Sequence, residues 1–418
     1  MTDAPLKGLK VLDLSRVLAG PFCTQILGDM GAEIIKIERP GSGDDTRAWG
    51  PPYLQSDTGA PNMESAYYLS INRNKKSVAV DIAQTDGQEI IRKLAQQSDV
   101  LIENFKVGGL VKYGLDYDSL HKLNPKLVYA SISGFGQTGP LATEPGYDFL
   151  AQGMAGLMAA TGAKESEPTK CGIAISDILT GLYAAIGILG ALESRRSTGK
   201  GQHVDVALID CTLAAMTNIS QYFLTSGHVA PKVGNAHSTI VPYQVFATLD
   251  GHIIIAVGND GQFRRLCGLL SAPEWANDDR FKTNPARVAN RETLVALIAG
   301  RMAARASEDW LAALRDVDVP CGPVNTMDKV FAEPQMVHRA MKINLPHPLS
   351  SNGVDLVGSP LRFSDNPVAY DAAPPMLGQH TEDVLRSIGY GDDIISTLAK
   401  NGAIGCDPIS HAKMKAED

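Results

Sequence analysis

Residues 9–40, LKVLDLSRVLAGPFCTQILGDMGAEIIKIERP, set the fold class. LKVLDLS (9–15) and EIIKIERP (33–40) are short, apolar and rich in Val, Ile and Leu, as strands are. Between them, GPFCTQILGDMGA (20–32) has helical spacing and ends near a glycine. The alternation continues outward. GQEIIRKLAQQSD (87–99) reads as a helix, and VLIENF (100–105) and LVYASISGFG (127–136) read as strands. Strands alternating with helices predict an α/β fold with a parallel sheet covered on both faces. In such sheets ligands bind beyond the carboxyl ends of the strands.

The opening strand, helix and strand also match a Rossmann-like dinucleotide unit, with Glu38 where the ribose-binding acid would stand. The glycine fingerprint is missing, however. The connection reads SRVLAGPFC (15–23), and a pyrophosphate needs glycines there for close backbone approach. This argues against NAD. The sequence also has no Walker A loop, no H-E-x-x-H and no G-x-S-x-G.

Further along, YQVFATLDGHIIIAVG (243–258) reads as a hairpin turning at Asp250-Gly251, followed by helical segments up to Val317. From Asn325 the chain turns Pro-rich. The expected organisation is a large Rossmann-like domain begun by residues 1–215, a smaller α+β domain at 225–325, and a linker and returning segment at 326–418.

Of the 418 residues, 44% are hydrophobic and 20% charged, and the formal net charge is -8. This is ordinary globular composition, and its acidic balance argues against a nucleic-acid partner. The cysteines at 23, 171, 211, 267, 321 and 406 form no C-x-x-C pair and no metal-like cluster with histidine, so no metal is expected. Several lie in apolar runs, which predicts reduced thiols and a cytoplasmic protein; the alternative is an organelle matrix. MTDAPLKG leads directly to the first strand without a charged, apolar-cored leader. The uncharged stretch 178–192 is short for a bilayer span and carries three glycines, so it reads as a core helix and no membrane is expected.

Two features carry chemistry. Basic residues gather at predicted strand ends and loops: Arg16, Arg39, Arg47, Arg73, Lys75, Lys76, Lys106 and Lys112. Each alone reads as a solvated charge, whereas the group suits an anionic ligand. The second feature is Asp177, at the start of the apolar helix in CGIAISDILTGLYAAIGILGAL (171–192). Asp is a favoured N-cap, and Ser176 is an equal claimant. The functional alternative is a carboxylate kept ionised by the helix dipole, attacking a thioester while helix N–H groups hold the oxyanion. Spacing does not choose between these readings.

The motifs together resemble the class III coenzyme A transferases over nearly the whole chain. They stand as the run from Val11 to Arg47, NRNKKSVAVD (72–81), DVLIENFKVGGLVKYGL (99–115), SISGFGQTGP (131–140), GYDFLAQGMAGLM (146–158), SDILTG (176–181), GNAHSTIVPYQVF (234–246) and PPMLGQHTEDVL (374–385). SINRNKK (70–76), HSTIVPYQ (237–244) and RFKTNPARVANR (280–291) look most like the members that handle succinate, hydroxymethylglutarate or glutarate. The resemblance implies Asp177 as the catalytic acid. It places coenzyme A contacts on Arg16, Leu18, Ala19, Arg39, Asn104, Phe105 and Lys112. It implies no permanently bound cofactor, because the coenzyme A thioester is a substrate. It also implies a homodimer of two ring-shaped chains that interlock, with the small-residue side of the helix at Gly181, Ala184, Gly187 and Ala191 available for close packing.

Formyl-CoA transferases differ by having Gln at the position of Leu18, Lys at Ser133 and glycines at 237–239, which argues against oxalate and formate. Substrate contacts are expected from His237, Ser238 and Thr239. Arg73 is assigned to the second carboxylate of a dicarboxylate; the alternative is that it binds a coenzyme A phosphate or is simply solvated. The competing readings are an α-methylacyl-CoA racemase of the same fold and a non-catalytic coenzyme A binder. A racemase would need a histidine that the stretch from Ser131 to Phe149 lacks.

Overall fold

A computed structural model describes residues 4–405, so Cys406 lies outside the described residues. Its contacts divide them into two units. The first comprises 4–157, 171–220 and 335–405; the second comprises 158–170 and 221–334.

The first unit opens with β1 (Lys10–Asp13), α1 (Ala19–Asp29), β2 (Glu33–Glu38) and β3 (Lys75–Val80). Then come α2 (Thr85–Gln96), β4 (Val100–Glu103), α3 (Tyr117–Leu123), β5 (Val128–Ser133) and α4 (Asp148–Met154). After the excursion into the second unit follow α5 (Ile175–Thr198), β6 (His203–Ala207) and α6 (Leu208–Ala215). Strands β1 to β6 pair in parallel in the order β3-β2-β1-β4-β5-β6. From β1 the chain winds outward through β2 and β3, then returns to β4 on the other side. The order therefore reverses between β1 and β4, and the loops after those strands flank a crevice at their carboxyl ends.

The alternation of side chains explains why the strands read as apolar runs. Leu12, Ile35, Ile37, Val78 and Leu101 face one core, with Ile90, Ile91 and Leu94 of α2. Val11, Ile34, Val100, Ile102 and Val128 face the other, with Cys23 and Leu27 of α1 and Ala184 and Ile188 of α5. Both faces are covered, so most of these positions are apolar, and a charged strand residue buried among them, such as Asp13, is paired, here with Lys75.

Helix α5 runs past both ends of the stretch expected from sequence. It is long and apolar enough to cross a membrane, but its small-residue side is packed within this chain. A Cβ on Gly181 would sit 2.7 Å from the Ala19 carbonyl oxygen, and one on Gly187 would sit 2.9 Å from Val204. That side is therefore used by α1 and β6. This corrects the expectation that it serves a partner chain. The opposite side, with Leu182, Tyr183 and Ile186, is exposed by 41%, 43% and 63%.

The second unit contains β7 (Tyr243–Ala247) and β8 (His252–Ala256). These form the expected antiparallel hairpin, closed by Thr248 N–H on the Gly251 carbonyl. Helices α7 (Asp260–Leu269), α8 (Asn284–Ala289), α9 (Arg291–Met302) and α10 (Ser307–Asp316) precede β9 (Cys321–Pro323), which pairs with β8. Ile253 and Ile255 point into the core with Phe263, Leu294, Ile298 and Leu311, while Ile254 between them is exposed.

The chain then re-enters the first unit with the hairpin β10 (Lys342–His347) and β11 (Ser350–Val357). Helices α11 (Thr381–Ser387) and α12 (Asp392–Lys400) lead to β12 (Ile404–Gly405), an antiparallel edge beside β3. The PPMLGQHT run clamps β3. His380 N–H donates to the Ser77 carbonyl, and Ala79 N–H to the Thr381 hydroxyl.

Candidate active site

Asp177 is the third residue of α5, after an N-cap, Ala174, that has no polar side chain. Neither Asp177 nor Ser176 caps the helix. The Ser176 hydroxyl accepts a hydrogen bond from Thr212 instead. The open N–H groups are taken by Asp148, the first residue of α4. Its Oδ1 accepts from Ser176 N–H at 2.8 Å and from Asp177 N–H at 3.4 Å. Buried Gln152 holds the arrangement, donating to Asp148 Oδ2 at 2.7 Å and accepting from Cys171 N–H at 2.8 Å.

This reverses the electrostatics expected of a helix start. Burial, and second the charge of Asp148, push the Asp177 carboxyl up from 3.8 to about 7. The helix N–H groups that were to hold an oxyanion already have an acceptor. Tyr67 belongs to the same field: burial first, then the charges of Asp177 and Asp148, raise its phenol to about 12. The edge of one of the rings of Trp49 and Tyr67 meets the face of the other, with centroids 5.1 Å apart.

The crevice between β1 and β4 supplies the opposite wall. Arg16 N–H donates to Asn104 Oδ1 at 2.9 Å, and Asn104 Nδ2 donates to the Arg16 carbonyl at 2.7 Å, tying the two loops together. The turn into α1 is close-packed, since a Cβ on Gly20 would sit 2.1 Å from Ser15 Oγ. The Phe105 N–H is fixed by Glu103, and the Arg16 guanidinium lies 5.9 Å from the centre of the Phe105 ring.

A cavity of about 530 Å³ is lined by Arg16, Leu18, Ala19, Trp49, Asn104, Phe105, Asp148 and Asp177, among others. An adjoining one of about 400 Å³ shares Arg16, Asp45 and Phe105 with it and adds Arg39, Ile82 and Tyr113. The structure thus brings Arg16, Leu18, Ala19, Asn104 and Phe105 to the cavity of Asp177, and Arg39 to the one beside it. Lys112 is exposed, its Nζ 4.6 Å from the centre of the Tyr113 ring. His237, Ser238 and Thr239 belong to the second unit.

Arg73 does not reach this cavity. It precedes β3 and so lies at the amino end of the parallel strands, opposite the crevice. Its guanidinium grips Asp29 with Nε and Nη2 and the Val357 carbonyl with Nη1, and it is buried. The expected role at a substrate carboxylate or a phosphate is corrected accordingly, because the side chain already holds an internal carboxylate. Arg47 is likewise fully buried between Glu38 and Glu64, so Glu38 neutralises an arginine where a ribose-binding role was considered. Lys75 is enclosed by Asp13, Asn72 and the Pro21 carbonyl. Asp148, Trp49 and Tyr67 escaped the reading of the sequence. Asp148 carried the one usable signal, being an acid within GYDFLAQGM.

Residues 6–381 match the sequence profile of CoA-transferase family III. The chain is 45% identical over 395 residues to the succinate–glutarate CoA-transferase of Agrobacterium fabrum, covering 93% of this chain and 98% of that protein. It is 42% identical over 401 residues to the succinyl-CoA:glutarate CoA-transferase of Homo sapiens, covering 96% and 90%. Among solved structures it superposes on a CAIB/BAIF family protein from Brucella suis with a TM-score of 0.84 at 48% identity, covering 93% of this chain and 100% of that one.

Proposed function

From the premise that this chain belongs to CoA-transferase family III, we propose that it moves coenzyme A between short dicarboxylates, using Asp177 as acyl carrier. The Asp177 carboxylate attacks the donor thioester carbonyl, and the carbon–sulfur bond breaks to release the thiolate and leave a mixed anhydride. The thiolate then attacks the aspartyl carbonyl, expelling the donor acid and leaving an aspartyl–coenzyme A thioester. The acceptor carboxylate repeats both steps in reverse order, and Asp177 leaves as a carboxylate. Bonds of similar energy are exchanged, so no ATP is consumed and no net proton moves.

The observation that carries this reading is a carboxyl raised to about 7, lining the cavity formed by the switch-point loops. A poorly hydrated carboxylate is a stronger nucleophile than a solvated one, because little solvent has to be stripped from it. In this reading Arg16, Leu18, Ala19, Asn104 and Phe105 hold the thioester end of coenzyme A, with Arg39 and Lys112 toward its nucleotide. The dicarboxylate assignment is supported by the names of the Agrobacterium and human relatives. The protein works as a cytoplasmic homodimer with no permanently bound cofactor. The exposed apolar side of α5 supports the dimer, and the free cysteines at 23, 211, 267 and 321 support the compartment.

Incubation with succinyl-CoA and hydroxylamine should convert Asp177 to its hydroxamate, found by mass spectrometry of the peptide that carries it. Near-normal turnover in Asp177→Ala would sink the mechanism. Ile186→Glu should dissociate the dimer in sedimentation; wild-type protein sedimenting as a folded monomer would refute it.

A further inference from the structure

Glu103 is the last residue of β4, and the chain leaves the sheet directly after it. The side chain is buried, and among the described residues no cation pairs with its carboxyl. Burial raises that carboxyl to about 7; the Ser131 hydroxyl and the Phe105 N–H act against the rise, and the charge of Asp205 adds to it. Burying a carboxyl without a cation costs the fold free energy, and groups kept at such a cost gather at functional sites.

The carboxyl is held in place from the sheet. Ser131 stands directly opposite Glu103 in the register of β4 and β5, and its hydroxyl hydrogen-bonds the carboxyl. Ser131 Oγ also lies 2.9 Å from His203 Nε2. A hydroxyl has one hydrogen, here spent on Glu103, so His203 is the donor in that pair. The His203 ring is stacked on Tyr117 of α3, with centroids 5.0 Å apart, and meets Tyr129 edge to face. A chain of polar contacts across β4, β5 and β6, packed by α3, thus fixes where the carboxyl points. Its Oε2 points at the Phe105 N–H, from which it accepts at 2.7 Å. This closes a tight turn from residue 103 to residue 105.

The turn separates two cavities. Asn104 and Phe105 line the cavity of Asp177, where Asn104 is tied to the Arg16 backbone in both directions. Glu103 does not line it. With Ser131, Tyr117 and His203 it lines another, of about 520 Å³, and the two cavities share Lys106 and Val107. Glu103 therefore stands behind the loop and Asn104 and Phe105 in front of it.

We propose that Glu103 is a positioning residue for coenzyme A, which sets Asn104 and Phe105 in their binding geometry by gripping the Phe105 N–H from behind; this rests on the reading of those two residues as coenzyme A contacts. A loop that is ordered only when the ligand arrives charges that ordering against affinity, whereas a loop ordered beforehand does not. A carboxylate is the stronger acceptor for such a task, because a hydrogen bond to an ionised group is shorter and stronger than a neutral one. Glu103 itself touches no substrate.

The test measures coenzyme A binding by calorimetry, and transfer from succinyl-CoA to glutarate or butyrate, with the full-length enzyme. Glu103→Met fills the space without an acceptor. Its Kd for coenzyme A should rise on the order of tenfold and KM for succinyl-CoA with it, while kcat at saturation stays within about threefold. Glu103→Gln restores an acceptor for the Phe105 N–H, and its Kd should stay within about threefold of wild type. The ratio of kcat/KM for glutarate to that for butyrate should not change in either variant, because the loop is not assigned to the acid. A Kd that is the same in Glu103→Met as in wild type would overturn the proposal, as would equal losses in the Met and Gln variants. If Glu103→Met fails to fold, Ser131→Ala decides: untying the carboxyl from β5 should raise Kd about threefold, and an unchanged Kd in the folded variant overturns the proposal. Wild-type enzyme that binds no coenzyme A would defeat the coenzyme A reading itself, which is a different result.

Discussion

Removing the Asp177 carboxylate should stabilise the protein, and only where that group is charged. The Asp177 carboxyl titrates near 3.8 in an open chain and at about 7 in the fold, raised by burial first and by Asp148 second. Below the open-chain value it is protonated in both states and costs nothing. Between the two values the unfolded chain ionises while the fold keeps the proton, so stability falls as pH rises. Above the folded value the penalty is complete. At about 1.36 kcal/mol per tenfold change its ceiling is roughly 4 kcal/mol, and partial exposure to solvent reduces it to about 1–3 kcal/mol. Asp177→Asn keeps the shape and removes the charge. Its stability relative to wild type should therefore grow by about 1–3 kcal/mol between pH 4 and pH 8 and then level off. Calorimetry at a series of pH values reads this as a gap in Tm opening by about 1–4 °C for a chain of this size. A gap that stays constant with pH, or a wild type more stable than the variant at pH 8, would show that the carboxylate is not held against its own solvation.

Two further predictions follow from the same geometry. Asp148→Asn keeps an acceptor for the α5 N–H groups and removes the charge that acts second on Asp177. The low-pH limb of kcat/KM should move to lower pH by about 1 kcal/mol, somewhat under one pH unit, with the plateau at pH 8 retained; a limb that stays in place or moves upward contradicts the assignment. Arg73→Leu leaves Asp29 buried without its partner and should cost roughly 3–5 kcal/mol in urea denaturation, while leaving the glutarate-to-butyrate ratio unchanged; a selective loss of glutarate transfer in folded Arg73→Leu would return that residue to the substrate.

The parts of the fold visible in sequence were those whose signal is local. β1, α1 and β2 are adjacent, and their apolar periods are uninterrupted. β3 was hidden because it begins Lys-Lys-Ser, which reads as a charged loop, whereas Lys75 is buried against Asp13, a residue on another strand. The same blindness affected the basic cluster. A sequence shows the charge of Arg47 and Arg73 but not the acids that consume it, since Glu38, Glu64 and Asp29 come from separate elements. Asp177 was legible as an acid at a helix start, and family motifs marked it out. Its environment was not legible, because the group that decides it, Asp148, lies in another helix and acts through backbone N–H groups that every residue possesses.

That arrangement bears on why an acid proposed as nucleophile would sit on a helix start at all. At the third helical position an acid has open N–H groups within reach, and a carboxylate that accepts them is stabilised as an anion, with a lowered pKa. Such a carboxylate would be ionised and held in place, but its lone pairs would be committed to the backbone and lost to a thioester carbonyl. With Asp148 accepting from Ser176 and Asp177, the helix start is satisfied from outside. Asp177 keeps the fixed position that a rigid helix gives and loses the solvation that a cap would have supplied. Asp148 also adds a second negative charge close by, so ionisation becomes costlier and the anion, once formed, more reactive. A carboxyl brought to about 7 by these two causes ionises within the neutral range, and in the proposed cycle it is regenerated as a carboxylate at the end of each turnover. In the proposed cycle, the free energy withheld from the resting anion is recovered on formation of the anhydride, in which that charge disappears.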